Sequence, residues 1–391
     1  MKPGLIQAGC LLALLAGLAS CSSSPIALIE AARSGDTERL ARVVLRDELA
    51  RRGMPADIAL ADPENLPRLI RALHRLLEDI WAEEEPEIAS ERRYVKYSND
   101  YRARAIVDFE QGWLRVETVA EEAPLDKLRD AIVTTLLSPR DLGVEEIFTD
   151  AEPATGDEPF LFRQVLDEDG EPIRWRWRAE RFAEHLVASV LERSTRDGRT
   201  LHAVNIDLVD DHLQLRQLEY ADEVLAASRQ YRVPPSLIYA VIDVESAFNP
   251  YAISPAKAYG LMQVVPATAG RDVFERLKKL PGEPTRQQLF EPGFNIDIGS
   301  AYLHLLDQHY LRRVRDPDSR RWTMIAAYNG GPGSVLRAFD RDPSRAVARI
   351  NAMAPDAVYR QLASGHPYGE TRRYLGKVRE ARVGYLAATA R

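Results

Sequence analysis

The fold of this chain of 391 residues is decided by the stretch PPSLIYAVIDVESAFNP, residues 234–250. Proline is favoured in the first turn of a helix and serine caps helix starts, so a helix is predicted to begin near Ser236. Apolar residues follow at the spacing i, i+3, i+4, which is typical of a helix with one buried face. They are Ile238, Val241 and Ile242. Glu245 is the i+7 member of this series, so we expect a carboxyl group on the buried side of the helix.

Burial gives this carboxyl group a distinct chemistry. Desolvation penalises the charged form and raises the pKa of a carboxyl, which suits a general acid that works near neutral pH. Asp243 lies two residues earlier and points elsewhere, so it is a poor candidate for the same role. Judged from the apolar face alone, Glu245 is more often a structural hydrogen-bond partner, because perturbed acids mark functional sites only statistically. The helix by itself leaves both roles open.

Five short blocks in a fixed order resemble the lytic transglycosylase family, whose catalytic domain is lysozyme-like. They are ESAFNP (245–250), SPA with GLMQV (254–256 and 260–264), NI with a glycine (295–296 and 299), AYNGG (327–331) and ETRRY (370–374). Each block alone is weak, but the ordered set is specific. The resemblance implies that Glu245 is catalytic and that seven further residues bind the glycan. These are Ser254, Met262, Gln263, Tyr328, Asn329, Glu370 and Tyr374.

The blocks also have a physical interpretation. Gly260 permits a close backbone approach beside a groove, Met262 offers an adaptable apolar wall, and Gln263 supplies an amide for sugar groups. Tyr328 and Asn329 fall on the last turn of a helix that a Gly-Gly-Pro sequence should end. Ordinary structural roles stay open beside these: a turn at Ser254, a core position for Tyr328, and helix caps at Asn329 and Glu370.

The resemblance also implies a reaction. Most glycosidases use two carboxylates, but the family's blocks require only Glu245. This residue would protonate the bond between N-acetylmuramic acid and N-acetylglucosamine. It would then accept the proton of the muramyl C6 hydroxyl, which leaves a 1,6-anhydromuramyl end without hydrolysis. Two alternatives stay open: a hydrolytic muramidase of the goose-lysozyme type, and a non-catalytic lipoprotein that binds the cell wall.

The first residues resemble a lipoprotein export signal. Lys2 is followed by the apolar run 11–18, which is shorter than the roughly 20 residues that span a bilayer. The sequence Leu-Ala-Ser-Cys at 18–21 is similar to a lipobox, so residues 1–20 are predicted to be a signal peptide and Cys21 to be lipidated. Ser22, rather than Asp, follows the cysteine and favours the outer membrane by resemblance to sorting rules. We therefore expect a lipid-anchored protein of the outer membrane that faces the periplasm.

Composition excludes several classes of protein. The only cysteines are Cys10 and Cys21, so no disulfide framework is available, and the seven histidines lack zinc-type spacing. We expect neither a metal nor a cofactor. Residues 214–391 carry 25 Lys and Arg against 18 Asp and Glu, whereas residues 1–213 carry 27 against 41. The export signal argues against nucleic acid as the partner of the basic part, and an anionic polymer such as peptidoglycan fits better. Ordinary surface charge stays an alternative.

The chain is predicted to have a lipidated terminus and linker at 21–50, an α+β domain at 51–213 and an all-α lysozyme-like domain at 214–391. The first domain is predicted from a helical stripe at 68–81, a hairpin of 105–109 with 113–119 around the turn 110–112, a helix at 125–137 and a strand at 204–209. Its segments 94–97, 104–109 and 112–118 resemble the domain that precedes the catalytic one in a membrane-bound branch of the family. Helices are predicted in the second domain at 215–231, 236–247, 266–280, 296–310, 321–329 and 370–386.

Residues 173–178 begin with Ile173 and continue as alternating arginine and tryptophan. Trp175 and Trp177 could stack on sugar rings. A half-buried strand explains the same pattern, because a period of two residues is typical of such strands. We favour the strand.

Overall fold

The computed structural model describes residues 77, 80, 81, 87, 89–99, 101–139, 158–196 and 199–389, with side chains to residue 386. The chain from Glu87 onward forms one compact unit, and Met1–Pro86 is a separate one. In the latter, Leu77, Ile80 and Trp81 are helical. The signal peptide, Cys21, the linker and the rest of the predicted stripe lie outside the described residues. Within the described part, no helix is both long and apolar enough to cross a membrane.

A five-stranded antiparallel sheet forms the core of the first domain, in the order β1-β2-β3-β5-β4. Its strands are β1 (Arg93–Ser98), β2 (Ala103–Asp108), β3 (Trp113–Thr118), β4 (Glu192–Arg196) and β5 (Arg199–Asp207). The predicted hairpin is confirmed as β2–β3, and the strand near 204–209 as β5. Gly112 in the hairpin turn has φ 73°, and a Cβ there would lie 2.7 Å from the His212 ring, so only glycine fits.

Two helices cover this sheet. The predicted helix α1 (Pro124–Leu136) is confirmed and packs on β2, β3 and β5, while α2 (Arg176–Ser189) packs on α1. The strand predicted at 173–178 is wrong, because Trp175 is the N-cap of α2 and Trp177 lies in its first turn. Both indoles are exposed, at 58% and 55%. The residues that bury α2 come after this segment at helical spacing: Ala179, Phe182, Ala183 and Leu186.

From residue 212 the described chain is helical, so the predicted fold class is confirmed. The helices are α3 (His212–Glu219), α4 (Ala221–Tyr231), α5 (Pro235–Ser246), α6 (Arg286–Phe290), α7 (Pro292–Leu305), α8 (Pro317–Gly330), α9 (Pro332–Arg337), α10 (Pro343–Ala352), α11 (Pro355–Gly365) and α12 (Gly369–Thr389). The segment 215–231 is divided at Tyr220, and the segment 266–280 consists of two π-helical turns, Pro266–Gly270 and Val273–Lys278. The predicted helix 296–310 corresponds to α7 and to the π-helical turn that directly follows it, Leu306–Tyr310. The sequence did not predict α6, α9, α10 or α11.

Helix α5 is central and places the site. It packs against α4 and α12, and all its side chains from Ser236 to Ile242 are buried. Its N-cap is Pro234 rather than Ser236, whose buried hydroxyl has no hydrogen-bond partner among the described residues. The helix ends at Ser246, and Ala247 and Phe248 both adopt left-handed φ values, 50° and 61°. This sharp reversal leaves Glu245 on the last turn, beside the loop that follows.

Candidate active site

Glu245 is half-buried, unlike the fully buried Ile238, Val241 and Ile242 of the same helix. The pKa of its carboxyl is raised to about 8, first of all by burial and also by the nearby carboxylates of Glu91 and Glu370. A hydrogen bond from Tyr374 and the charge of Arg92 act in the opposite direction. A carboxyl with this pKa carries its proton at neutral pH and can still lose it. Glu245 is therefore equipped to act as a general acid and then as a base.

Two tyrosine hydroxyls lie close to this carboxyl. Tyr328 donates a hydrogen bond to the backbone oxygen of Met262 at 2.8 Å. Burial, followed by the charge of Glu245, raises the pKa of Tyr328 and of Tyr374 well above the usual range of a phenol. The buried Tyr374 hydroxyl makes no hydrogen bond of good geometry within the described residues, although it is near enough to lower the pKa of Glu245. Both hydroxyls stay neutral. The Tyr374 proton is available to Glu245 or to a substrate, whereas the single Tyr328 proton is donated to the Met262 carbonyl.

The loop 259–264 faces α5 and is organised by buried polar groups. Asn295 accepts a hydrogen bond from the Met262 N–H at 2.8 Å and donates to the Tyr259 carbonyl at 2.8 Å. Gly260 has φ 72°, and a Cβ there would lie 2.2 Å from the Leu289 carbonyl oxygen. The close approach expected at Gly260 is thus to the neighbouring backbone. Asn295 belongs to a matched block, but its organising role was not predicted from the sequence.

Two residues of this loop that were predicted to bind the glycan, Met262 and Gln263, are buried. Met262 is fully buried against Gly299, so its side chain is part of the core and offers no apolar wall to a groove. The Gln263 amide nitrogen donates to the backbone oxygens of Ala252 and Gly260, at 3.2 and 3.0 Å. Its buried Oε1 has no partner among the described residues. The amide oxygen of Gln263 is therefore left as an available acceptor.

The remaining predicted binding residues form two separate groups. The Ser254 hydroxyl accepts a hydrogen bond from the Ala258 N–H at 3.1 Å, which matches the turn kept open as an alternative. Asn329 donates to the Glu370 carboxylate at 3.1 Å and accepts from the Thr371 hydroxyl at 2.6 Å. The end of α8 and the first turn of α12 are thereby joined beside Glu245.

Two residues that lie just before β1, Glu91 and Arg92, were not predicted from sequence patterns. Both act electrostatically on Glu245. They belong to the domain that contains the five-stranded sheet (residues 87–211, the sheet domain), whereas Glu245 belongs to the helical domain that begins at residue 212. Arg92 donates a hydrogen bond to the carbonyl oxygen of Val244 at 3.0 Å. A side chain whose partner is a backbone carbonyl leaves no paired residue in the sequence, so no motif could have identified it.

Asp243 lies near Glu245 in sequence but has other partners. Its carboxylate accepts a hydrogen bond from the Tyr385 hydroxyl at 3.1 Å, and burial raises its pKa. Across the described residues, no group of three or more His, Cys, Asp and Glu side chains is arranged as a metal site.

Comparisons with known proteins match two families along the chain. The model of the N-terminal domain of membrane-bound lytic murein transglycosylase C matches residues 59–219, and that of the transglycosylase SLT domain matches residues 222–351. Proteins named membrane-bound lytic murein transglycosylase C from Sodalis glossinidius and Yersinia enterocolitica are 47% and 46% identical over 310 residues. The alignments cover 79% of this chain and 87% and 86% of those proteins. The crystal structure of the 70 kDa soluble lytic transglycosylase of Escherichia coli aligns with 46% of this chain and 26% of the Escherichia coli chain, at 31% sequence identity and a TM-score of 0.35.

Proposed function

The chain belongs to the membrane-bound lytic murein transglycosylase C family, and we propose that Glu245 is the single acid and base of its reaction. The protein is a lytic transglycosylase that acts on peptidoglycan. The observation that carries the assignment of Glu245 is its half-buried carboxyl with a pKa of about 8, near two neutral tyrosine hydroxyls. No second carboxylate is needed if the substrate supplies the nucleophile.

In the first step, the protonated Glu245 donates its proton to the glycosidic oxygen between N-acetylmuramic acid and N-acetylglucosamine. The bond from the muramyl C1 to that oxygen breaks, and the N-acetylglucosamine chain leaves with the proton. The charge that develops on the sugar is stabilised by the carboxylate that Glu245 has become. The raised pKa favours this step, because proton donation is easiest from an acid whose pKa is close to the working pH.

In the second step, the muramyl C6 hydroxyl attacks C1 and gives its proton to Glu245. A new bond joins C1 to O6, so the product is a 1,6-anhydromuramyl end and Glu245 is again protonated. The Tyr374 hydroxyl holds the carboxyl in place during both proton transfers, and Tyr328 lies beside it with its own proton donated to the Met262 carbonyl. Water takes no part in this balance.

The binding roles of the other predicted residues follow from the polar atoms they offer. Gln263 presents an unpartnered amide oxygen, and Asn329 with Glu370 presents a carboxylate–amide pair to the sugar hydroxyls or the N-acetyl group. Ser254 contributes through the turn that it stabilises. Met262 acts through its backbone oxygen, which holds the Tyr328 hydroxyl.

The mass of the products tests this function. Purified sacculi digested with the full-length protein should release muropeptides that end in anhydromuramic acid, each lighter by one water than a hydrolysis product. Products with reducing ends alone would identify a hydrolytic muramidase instead. Binding without release of any muropeptide would indicate a protein that only binds the cell wall.

The membrane association named in the relatives fits a lipid anchor on Cys21 of this chain. Acyl chains on a cysteine give stable anchoring because each buried CH₂ contributes about 0.8 kcal/mol. We place the mature protein on the outer membrane, facing the periplasm and the peptidoglycan. A Cys21→Ser variant should leave the outer-membrane fraction for the periplasm or stay as an uncleaved precursor; unchanged fractionation with normal processing would contradict the anchor.

A further inference from the structure

The segment 90–92 of the sheet domain lies directly on the catalytic motif. Arg92 donates to the Val244 carbonyl on one side of Glu245. On the other side, the Ile253 N–H donates to the Ser90 carbonyl at 3.4 Å, and the side-chain amide of Asn249 lies 3.5 Å from the same oxygen. One short segment therefore contacts the chain both before and after the catalytic residue.

Arg92 is itself fixed to the sheet. Its guanidinium forms an ion pair with Glu110, which belongs to the β2–β3 turn. Its backbone oxygen accepts the Phe109 N–H at 3.1 Å, next to the same turn. Because the side chain is held at its base and at its tip, the guanidinium has a defined position relative to the sheet.

The Val244 carbonyl is a group that needs such a partner. The last four carbonyls of a helix have no partner within it, and α5 ends two residues after Val244. The Asp243 carbonyl is satisfied by the Ala247 N–H at 2.9 Å, and the Val244 carbonyl receives Arg92. A cation at the C-terminal end of a helix also interacts favourably with its dipole. Fixing the Val244 carbonyl fixes the peptide plane that joins Val244 to Glu245.

We propose that Arg92 is a positioning residue for the glycan-cleaving reaction: it holds the peptide before Glu245 so that the carboxyl faces the scissile bond. The sheet domain then forms part of the active site in addition to any contact it makes with the glycan. This inference rests on the proposed role of Glu245, and a small displacement of that carboxyl would slow the reaction strongly.

The charges that face Glu245 give the proposal a distinctive readout. Glu91, next to Arg92, and Glu370, on the opposite side of the site, raise the pKa of Glu245, whereas Arg92 and the Tyr374 hydroxyl lower it. Tyr328 is neutral, because burial and the charge of Glu245 raise its pKa. Removing the charge of Arg92 should therefore raise the pKa of Glu245, and removing the charge of Glu91 should lower it.

The test compares full-length variants on soluble, uncrosslinked glycan strands. Arg92→Met should lower kcat by about 10- to 100-fold, while KM changes less than about twofold. In the pH profile of kcat/KM, the pH at which activity falls on the basic side should be higher for Arg92→Met than for wild type. For Glu91→Gln it should be lower. Arg92→Lys keeps the positive charge, so its activity should fall at the same basic pH as that of wild type. It should recover only part of kcat, because a lysine lacks the planar guanidinium group of an arginine. Arg93→Met is the matched control, since Arg93 is the next residue and pairs with Asp108 at 2.9 Å.

A second variant covers the case in which Arg92→Met fails to fold. Glu110→Gln removes only the ion pair that holds the guanidinium, and it should lower kcat several-fold with a wild-type melting temperature. The proposal is overturned if these variants keep wild-type kcat, if their loss appears in KM alone, or if Arg93→Met loses as much activity. Glu245→Gln distinguishes a failure of this inference from a failure of the proposed function. An inactive Glu245→Gln with a normal Arg92→Met refutes only the role of Arg92, whereas an active Glu245→Gln refutes the proposed role of Glu245.

Discussion

The helical domain and the sheet domain contact the same catalytic segment in different ways. Two side chains of the helical domain, Tyr374 and Glu370, act on the carboxyl of Glu245 itself, which in turn raises the pKa of Tyr328. The sheet domain instead supplies Arg92, which binds the backbone beside that carboxyl. The roles proposed for Glu245 and Arg92 assign two tasks to the two domains: the helical domain supplies the acid and base, and the sheet domain positions it.

A second arginine at the junction of the domains repeats this pattern. Arg216 of α3 is 1% exposed and donates to the Phe248 carbonyl at 3.2 Å, just after α5. Its guanidinium lies 3.9 Å from the centre of the Phe109 ring, and it also donates to the Gln164 side chain at 3.3 Å. Both backbone contacts flank Glu245. Arg92 comes from the sheet domain, whereas Arg216 comes from α3, the first helix of the helical domain, and packs on Phe109 of the sheet domain.

The largest expected effect comes from the helical domain. Glu245→Gln should lower turnover of sacculi by about a thousandfold or more, because the general acid and base is lost. Asp243→Asn is the control, and its activity should stay within a few-fold of wild type, since Asp243 bonds to Tyr385. Comparable losses in the two variants would show that neutralising any carboxyl of α5 is harmful, and would remove the special role of Glu245.

Glu245→Gln should also change how the stability of the protein depends on pH. The pKa of Glu245 is raised from its ordinary 4.5 to about 8 in the folded protein. Its contribution to stability is complete below pH 4.5 and is lost as the pH rises towards 8, because the unfolded chain ionises first. A glutamine cannot ionise, so near pH 8 the free energy of unfolding of Glu245→Gln should exceed that of wild type by up to about 4 kcal/mol, and its melting temperature should be higher. The two proteins should converge near pH 4. Thermal unfolding at both pH values measures this gap, and an equal gap at both would exclude ionisation as its cause.

The next effect in size concerns the junction. Arg216→Met should destabilise the protein by about 2–4 kcal/mol, because the Phe248 carbonyl and the Gln164 amide lose a charged donor and the Phe109 ring loses a cation. Activity should fall as well, through the displaced catalytic turn. Arg229→Met, on an exposed part of α4, is the control and should leave both quantities unchanged. A stable Arg216→Met with full activity would mean that the junction does not hold the turn.

The smallest effect is expected on α2, away from the junction. Trp175 and Trp177 are more than half exposed, so the double replacement by alanine should change unfolding free energy by less than about 0.5 kcal/mol and kcat by less than about twofold. Chemical denaturation and turnover of sacculi measure the two quantities. A large rise in KM would instead revive sugar stacking by these indoles and extend the role of the sheet domain to substrate binding.

The sequence predicted the parts of this molecule that rest on side-chain patterns. Helix α5 with Glu245 was predicted from its apolar spacing and the matched blocks, and the β2–β3 hairpin from alternation around Gly112. The segment with Trp175 and Trp177 was mistaken for a strand, because six residues of alternation fit the start of a helix equally well. The π-helical turns were missed, since a shift of one residue in backbone hydrogen bonding leaves no pattern in side chains.

The residues of the candidate site also fall into those that a side-chain pattern could predict and those that it could not. Glu245, Tyr328, Asn329 and Glu370 were predicted because their side chains carry the chemistry of the family's motifs. Met262 was assigned to a groove wall, but its spacing could not show that Gly299 makes room for it in the core. Arg92 and Arg216 were not predicted, because each acts on a backbone carbonyl more than 30 residues away, and such a pairing depends only on the fold.

The central claim is that Glu245 enters the reaction as a protonated acid. The pH dependence of kcat/KM on soluble glycan strands tests it most directly, because this ratio reports the ionisation of the free enzyme. We predict that activity falls on the basic side with an apparent pKa of about 8. Activity that is level up to pH 10, or that falls with a pKa near the 4.5 of an ordinary glutamate, would contradict the account.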